Sequence, residues 1–137
     1  STQHSVTGIK ISNHQHSTTD KQRVIYQTPG ITIFEEHDQI STKDSTRYLN
    51  AGATQSFFIQ TNDESIPEVV QWINMNIKDW IVCESRLLGN YFTPSLGIFV
   101  TSLKPTKVPQ WEFPYEITIF ENEQFTPNEG LLLKGLI

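Results

Sequence analysis

Several groups of residues in this 137-residue chain have the types and spacing that chemistry requires. His14-Gln15-His16 carries two imidazoles on alternate positions, which face the same way on a strand and can chelate a metal ion with His4 or Asp20. The stretch from Ser12 to Asp20 has no apolar residue and reads more simply as a solvated loop. Glu35-Glu36-His37-Asp38 sets acid beside imidazole, the combination used in general acid–base work. With no apolar wall nearby to shift a pKa, it reads as a charged hairpin tip. Asn62-Asp63-Glu64 offers oxygen ligands to calcium, against the plainer reading of an exposed loop. Cys83 lies between Val82 and Glu84 with no cation beside it to favour the thiolate, so a buried structural thiol is expected rather than a nucleophile. Trp111, Phe113 and Tyr115 alternate along a proline-flanked connection, where they can form a sugar- or peptide-binding face or pin a loop to the core. No phosphate-binding glycine loop, serine nucleophile elbow or zinc pattern is present. The reading is therefore non-enzymatic: no catalytic residue, no cofactor and no metal is assigned, and His14, His16, Asn62, Asp63 and Glu64 are metal candidates by residue type alone.

The elements that must position these residues are written in the composition. Ile 15, Thr 15 and Val 7 supply a β-branched palette, while Ala occurs twice and Met once. That favours strands and excludes a helical bundle or coiled coil. Lys+Arg 10 against Asp+Glu 15 gives a net charge of -5, with the basic residues scattered, so phosphate tracking on nucleic acid is not expected. A single cysteine excludes an internal disulfide. No run reaches the ~18 apolar residues of a spanning helix. The polar start, Ser-Thr-Gln-His-Ser, does not read as a secretory signal.

Along the chain, residues 1–23 read as a polar arm, in which the alternation Val6 to Ile11 is either a first strand or part of the arm. Residues 24–137 read as one domain. Strands are predicted at Arg23–Gln27, Ile31–Glu35, Phe57–Thr61, Trp80–Glu84, Gly97–Leu103, Tyr115–Glu121 and Leu131–Ile137, with a Thr28-Pro29-Gly30 turn and a polar tip from Glu36 to Thr46. Pro105, Pro109 and Pro114 mark a connection between sheets, because each lacks the donor that a central strand needs. Residues 66–78 fit two periods. Ser65, Pro67 and Glu68 resemble a helix start with a capping box, whereas Ile73, Met75 and Ile77 alternate as on a strand. The expectation is a helical turn near 66–71 followed by a strand from Trp72 to Lys78.

Ile31-Thr32-Ile33-Phe34-Glu35 recurs identically as Ile117-Thr118-Ile119-Phe120-Glu121, and Trp80-Ile81-Val82-Cys83-Glu84 has the same apolar run ending in Glu about halfway between. Phe92-Thr93-Pro94-Ser95-Leu96-Gly97 also recurs as Phe125-Thr126-Pro127-Asn128-Glu129-Gly130. The strand-then-Glu starts followed by polar hairpins, at Ile117 to Phe125 and at Trp80 to Phe92, resemble the openings of βγ-crystallin Greek keys. The resemblance implies an all-β, antiparallel Greek-key β-sandwich with at most one short helical turn near 66–71. Its sub-motifs would span about 31–78, 79–114 and 115–137. The family's microbial calcium signature begins at Asn62-Asp63 and is not completed, so calcium is not implied.

The function expected is thus a non-catalytic structural or binding β-domain of βγ-crystallin-like kind. The alternative is a capsid-, tail- or adhesin-type domain that assembles with its own copies, through the N-terminal arm, or binds a protein or a host glycan. A small metal-dependent enzyme built on His14, His16 or the His37 cluster is the third reading.

Overall fold

A computed structural model describes residues 4–13, 22–40, 43–85, 87–101 and 117–120. The chain divides into two compact units, residues 1–85 and 86–137. The first is one mixed sheet. Its strands are β1 (Val6–Ser12), β2 (Gln22–Thr28), β3 (Ile31–Glu36), β4 (Gln55–Thr61) and β5 (Trp80–Glu84), with helices α1 (Asp44–Asn50) and α2 (Ile66–Asn76). The spatial order is β2-β3-β4-β1-β5. The β2–β3 hairpin closes at the expected Pro29-Gly30 turn, and β3 runs antiparallel to β4. The stretch from Val6 is a strand inserted between β4 and β5, parallel to both. These parallel pairs correct the expected antiparallel arrangement. β4, α2 and β5 form a crossover, the connection that parallel strands require, with β1 lying between the two strands it joins.

Pleat alternation sorts the sheet into two faces. One carries Ile9, Ile31, Ile33, Phe57 and Ile59, all buried, and is covered by α2 through Ile66, Val69 and Ile73. Trp72 sets its ring edge-on to Phe57 at 5.3 Å. The continuous helix Ile66–Asn76 corrects the expected turn-then-strand. Met75 decides between the two periods: a strand would bury it with its neighbours, yet it is 78% exposed while Ile73 is 1% exposed. The capping box is also not made. Ser65 makes no side-chain cap; instead Asn62 caps a short 3-10 helix, Asp63–Ser65, that leads into α2, and Glu68 accepts a hydrogen bond from the Tyr26 hydroxyl at 2.8 Å.

The opposite face receives α1, which begins within the span expected to be a polar hairpin tip, Glu36 to Thr46, and runs four residues past it. Its buried residues are Ser45 and Thr46, which no hydrophobic pattern marks. The helix is held by polar contacts: the Ser56 hydroxyl donates to the Ser45 carbonyl at 2.7 Å, and the Ser45 hydroxyl to Glu36 Oε2 at 2.9 Å. The Tyr48 ring lies directly on Gly8 of β1, where a Cβ would collide with Tyr48 Cβ and Cγ. Residues 31–78, which the crystallin resemblance assigns to a four-stranded key, therefore contain β3, α1, β4 and α2.

In the second unit, a 3-10 turn at Leu88–Asn90 precedes β6 (Ile98–Thr101), which pairs in parallel with β7 (Ile117–Phe120), Ile98 opposite Ile117. The expected 131–137 strand and the proline-spaced connection lie outside the described residues.

Gly8→Ala should lower the free energy of unfolding by about 1–3 kcal/mol in a urea titration, through overpacking against Tyr48. Combined with Tyr48→Ala, which vacates that space, it should cost less than the sum of the two single changes.

Candidate functional site

The sequence candidates fall into distinct settings. His14, His16, Trp111, Phe113 and Tyr115 lie outside the described residues. Asn62, Asp63 and Glu64 form the entry to α2: Asn62 Oδ1 accepts the Ser65 amide at 2.9 Å, and the turn packs on the β2–β3 hairpin, with Ser65 Oγ and Asn62 Nδ2 against Gly30. The Asn62 oxygen thus serves backbone capping. Asp63 and Glu64 are exposed. Among the described residues no group of three His, Cys, Asp or Glu side chains is placed to hold a metal ion.

Glu35-Glu36-His37-Asp38 is split by the end of β3. Glu35 is half-buried and His37 exposed, with His37 Nε2 3.5 Å from Glu35 Oε1. Glu36 and Asp38 are buried. The Glu36 carboxylate accepts from Gln22 Nε2 at 2.7 Å, from the Ser45 hydroxyl and, through Oε1, from the Asp38 amide at 3.0 Å. Three donors on one carboxylate tie β2, the turn after β3 and α1 together. That use of Glu36 anchors the fold and leaves His37 without the buried acid beside it in sequence.

One cluster was not marked by the sequence. Lys10 of β1 reaches Glu84 Oε1 of β5 at 2.6 Å and Asp44 Oδ2 of α1 at 3.1 Å. Burial pulls the Lys10 pKa down, but hydrogen bonds and charge from Glu84 and Asp44 outweigh it and hold the ammonium above its ordinary value. Beside it, burial first and the neighbouring Cys83 and Glu84 second raise the Tyr48 phenol. Burial, reinforced by Glu84, pushes the half-buried Cys83 thiol up to about 12. Lysine, tyrosine and cysteine are all held in their protonated forms. Nucleophilic or base catalysis needs shifts of the opposite sign.

The most distinctive surface lies beside that cluster, at the β5 edge. β5 carries Trp80, Ile81 and Val82 at 47%, 39% and 45% exposure, so both of its faces are apolar and open. Among the described residues no strand pairs with its outer side. The Trp80 amide donates to the Ser5 carbonyl, which turns the main chain of Trp80, Val82 and Glu84 toward β1. By alternation the amides and carbonyls of Ile81 and Cys83 point outward. The other edge is built differently. β2 is polar at Gln22, Arg23 and Gln27 and is bulged between Val24 and Tyr26, two devices that keep a sheet edge from pairing. β5 has neither a bulge, nor a proline, nor a lysine. Its apolar run is visible in the sequence, but its edge position depends on β1 pairing with β4 and with β5, Thr7 opposite Gln55 and Val6 opposite Trp80, far along the chain.

No protein-family model, no curated protein and no solved structure matches this chain. Among the described residues no helix is long and apolar enough to cross a membrane.

Two consequences are measurable. At about pH 8 the Cys83 thiol should react with an alkylating reagent roughly a hundredfold or more slowly in the folded chain than in urea, because the raised pKa removes thiolate. Asn62→Ala should cost about 1 kcal/mol in denaturant melts through loss of the cap, and added calcium should leave the melting temperature of the unaltered chain unchanged.

Proposed function

We propose that this chain is a non-catalytic binding module whose working surface is the β5 edge, and that it recognises an extended segment by accepting it as a sixth strand of the mixed sheet. The observation that carries this is the asymmetry of the two edges: β2 is bulged and exposes one large apolar residue, Val24, among Gln22, Arg23 and Gln27, while β5 is regular and exposes three in a row, Trp80, Ile81 and Val82. Strand addition takes its affinity from main-chain hydrogen bonds and its selectivity from alternate side chains. β5 supplies both, through the outward groups of Ile81 and Cys83 and the apolar side chains that flank them.

Of the roles set out from the sequence, a self-assembling or partner-binding domain of capsid, tail or adhesin type is the one this edge supports. A βγ-crystallin-like structural module draws its support from the mostly-β content alone. The protonated state of Lys10, Tyr48 and Cys83 weighs against an enzyme built around that cluster.

The test is a nuclear magnetic resonance titration with short extended peptides of alternating apolar and polar residues. The expected result is perturbation of the amide signals of residues 79–84, with new exchange protection at Ile81 and Cys83. Perturbation centred on Glu35 to Asp38, or on the β2 edge, would place the working surface elsewhere and remove the proposal.

A further inference from the structure

We propose that the strand seated on the β5 edge is β5 of a second copy of this chain, paired antiparallel about a two-fold axis beside Val82. The inference rests on the strand-addition reading and names its occupant.

Register follows from the direction of the main chain. Only Ile81 and Cys83 turn their amides and carbonyls outward within β5. In an antiparallel ladder, a hydrogen-bonded pair of residues exchanges two bonds. Setting Ile81 against Cys83 of the second copy, and Cys83 against its Ile81, satisfies every outward group of both strands with four bonds. Moving the axis to Ile81 or to Cys83 leaves one of those residues facing chain beyond the ends of β5. The chosen register puts Val82 opposite Val82 at the centre, in the close spacing of a non-hydrogen-bonded pair.

Side-chain chemistry agrees with this register. On the face that carries α1, Val82 meets Val82, and Trp80 meets Glu84 of the second copy. On the other face Ile81 meets Cys83. Glu84 is the only formally charged residue of β5, and its own Lys10 lies 2.6 Å away. Parallel pairing in register would set the two Glu84 side chains against each other, and like charges directly opposite destabilise a sheet. Antiparallel pairing moves them to opposite ends of the seam, each across from Trp80 and the His4 ring that lies edge-on to it at 5.8 Å. The contact is isologous and closes on itself. Growth into a filament would need the opposite edge, which the bulge in β2 blunts. A dimer is therefore the expected assembly.

Sedimentation equilibrium on the full chain, from low micromolar to near-millimolar concentration, should give twice the mass of one chain. Ile81→Pro removes an outward N–H and leaves the bonds to β1 in place; it should return the mass to that of one chain with an unchanged circular dichroism spectrum. Val82→Cys in a Cys83→Ser background brings its two thiols to Cα positions about 4.5 Å apart, within disulfide range. It should cross-link on mild oxidation, whereas Val24→Cys in the same background should not. A single-chain mass at every concentration overturns the second copy as occupant. So does a dimer that survives Ile81→Pro and fails to cross-link through Val82→Cys. If a single-chain mass is accompanied by peptide-induced shifts at Ile81 and Cys83, the strand-addition reading stands and its occupant is a different protein. If neither appears, both fail together.

Discussion

The arrangement of the first unit depends on β1 entering the sheet between β4 and β5. The insertion takes one residue of the right size at one place. Gly8 stands opposite Ser56 on one side and Val82 on the other, and its bare Cα lets the Tyr48 ring settle onto the sheet. A side chain there would lift α1 away from the sheet. That would part the Ser45 hydroxyl from Glu36 and the Asp44 carboxylate from Lys10, the polar contacts that hold the helix beside the Tyr48 ring. Ile9, the next residue, points the other way into the core beneath α2 and is completely buried. Seven residues near the N-terminus thus join two otherwise separate pieces: the β2-β3-β4 antiparallel sheet and the α2–β5 segment.

The same insertion determines which strand ends up at the edge. With β1 beside β4, β5 can pair only with the far side of β1, so a strand with three exposed apolar residues in a row becomes the rim of the sheet. An edge of this kind is a hazard unless it is blunted or occupied. The β2 edge shows that this chain carries the means of blunting: an extra residue near Ile25, an arginine and two glutamines. Their restriction to β2 is the physical reason for treating β5 as a surface that is used.

Strand positions were legible in the sequence, because β-branched runs bounded by turn residues need no knowledge of their neighbours. Ile31–Glu36, Trp80–Glu84 and Ile117–Phe120 all form strands where the repeat places them. Their pairing was not legible. The shared pattern is antiparallel to two neighbours in β3, parallel to β1 in β5 and parallel to β6 in β7. Identical residues thus form strands with different partners and directions, which are fixed by chain far away. α1 was hidden for a different reason: its buried positions are Ser45 and Thr46, and it is stabilised by hydrogen bonds to Glu36 and Ser56 that no periodicity encodes. In α2 the helical stripe was present but shared its residues with an alternating pattern. Only the solvent exposure of Met75 separates the two. Of the surface argued to function, Trp80-Ile81-Val82 could be read as a strand, but hardly as an edge.

Lys10 connects the core to that edge. Natural sheets often place a lysine on an edge strand, where an ammonium keeps another strand from docking. Here the lysine lies one strand inward, on β1, and its side chain reaches outward to Glu84 and back to Asp44. The geometry reverses the usual effect. The ammonium is engaged by two carboxylates and is not free to repel, while the one carboxylate on β5 is neutralised before any partner arrives. Desolvating an unpaired Glu84 on docking would carry the cost of burying a charge, and a carboxylate already held at 2.6 Å by Lys10 carries less of it. Glu84 and Asp44 raise the Lys10 pKa, while burial is the first cause of the raised pKa of Tyr48 and of Cys83.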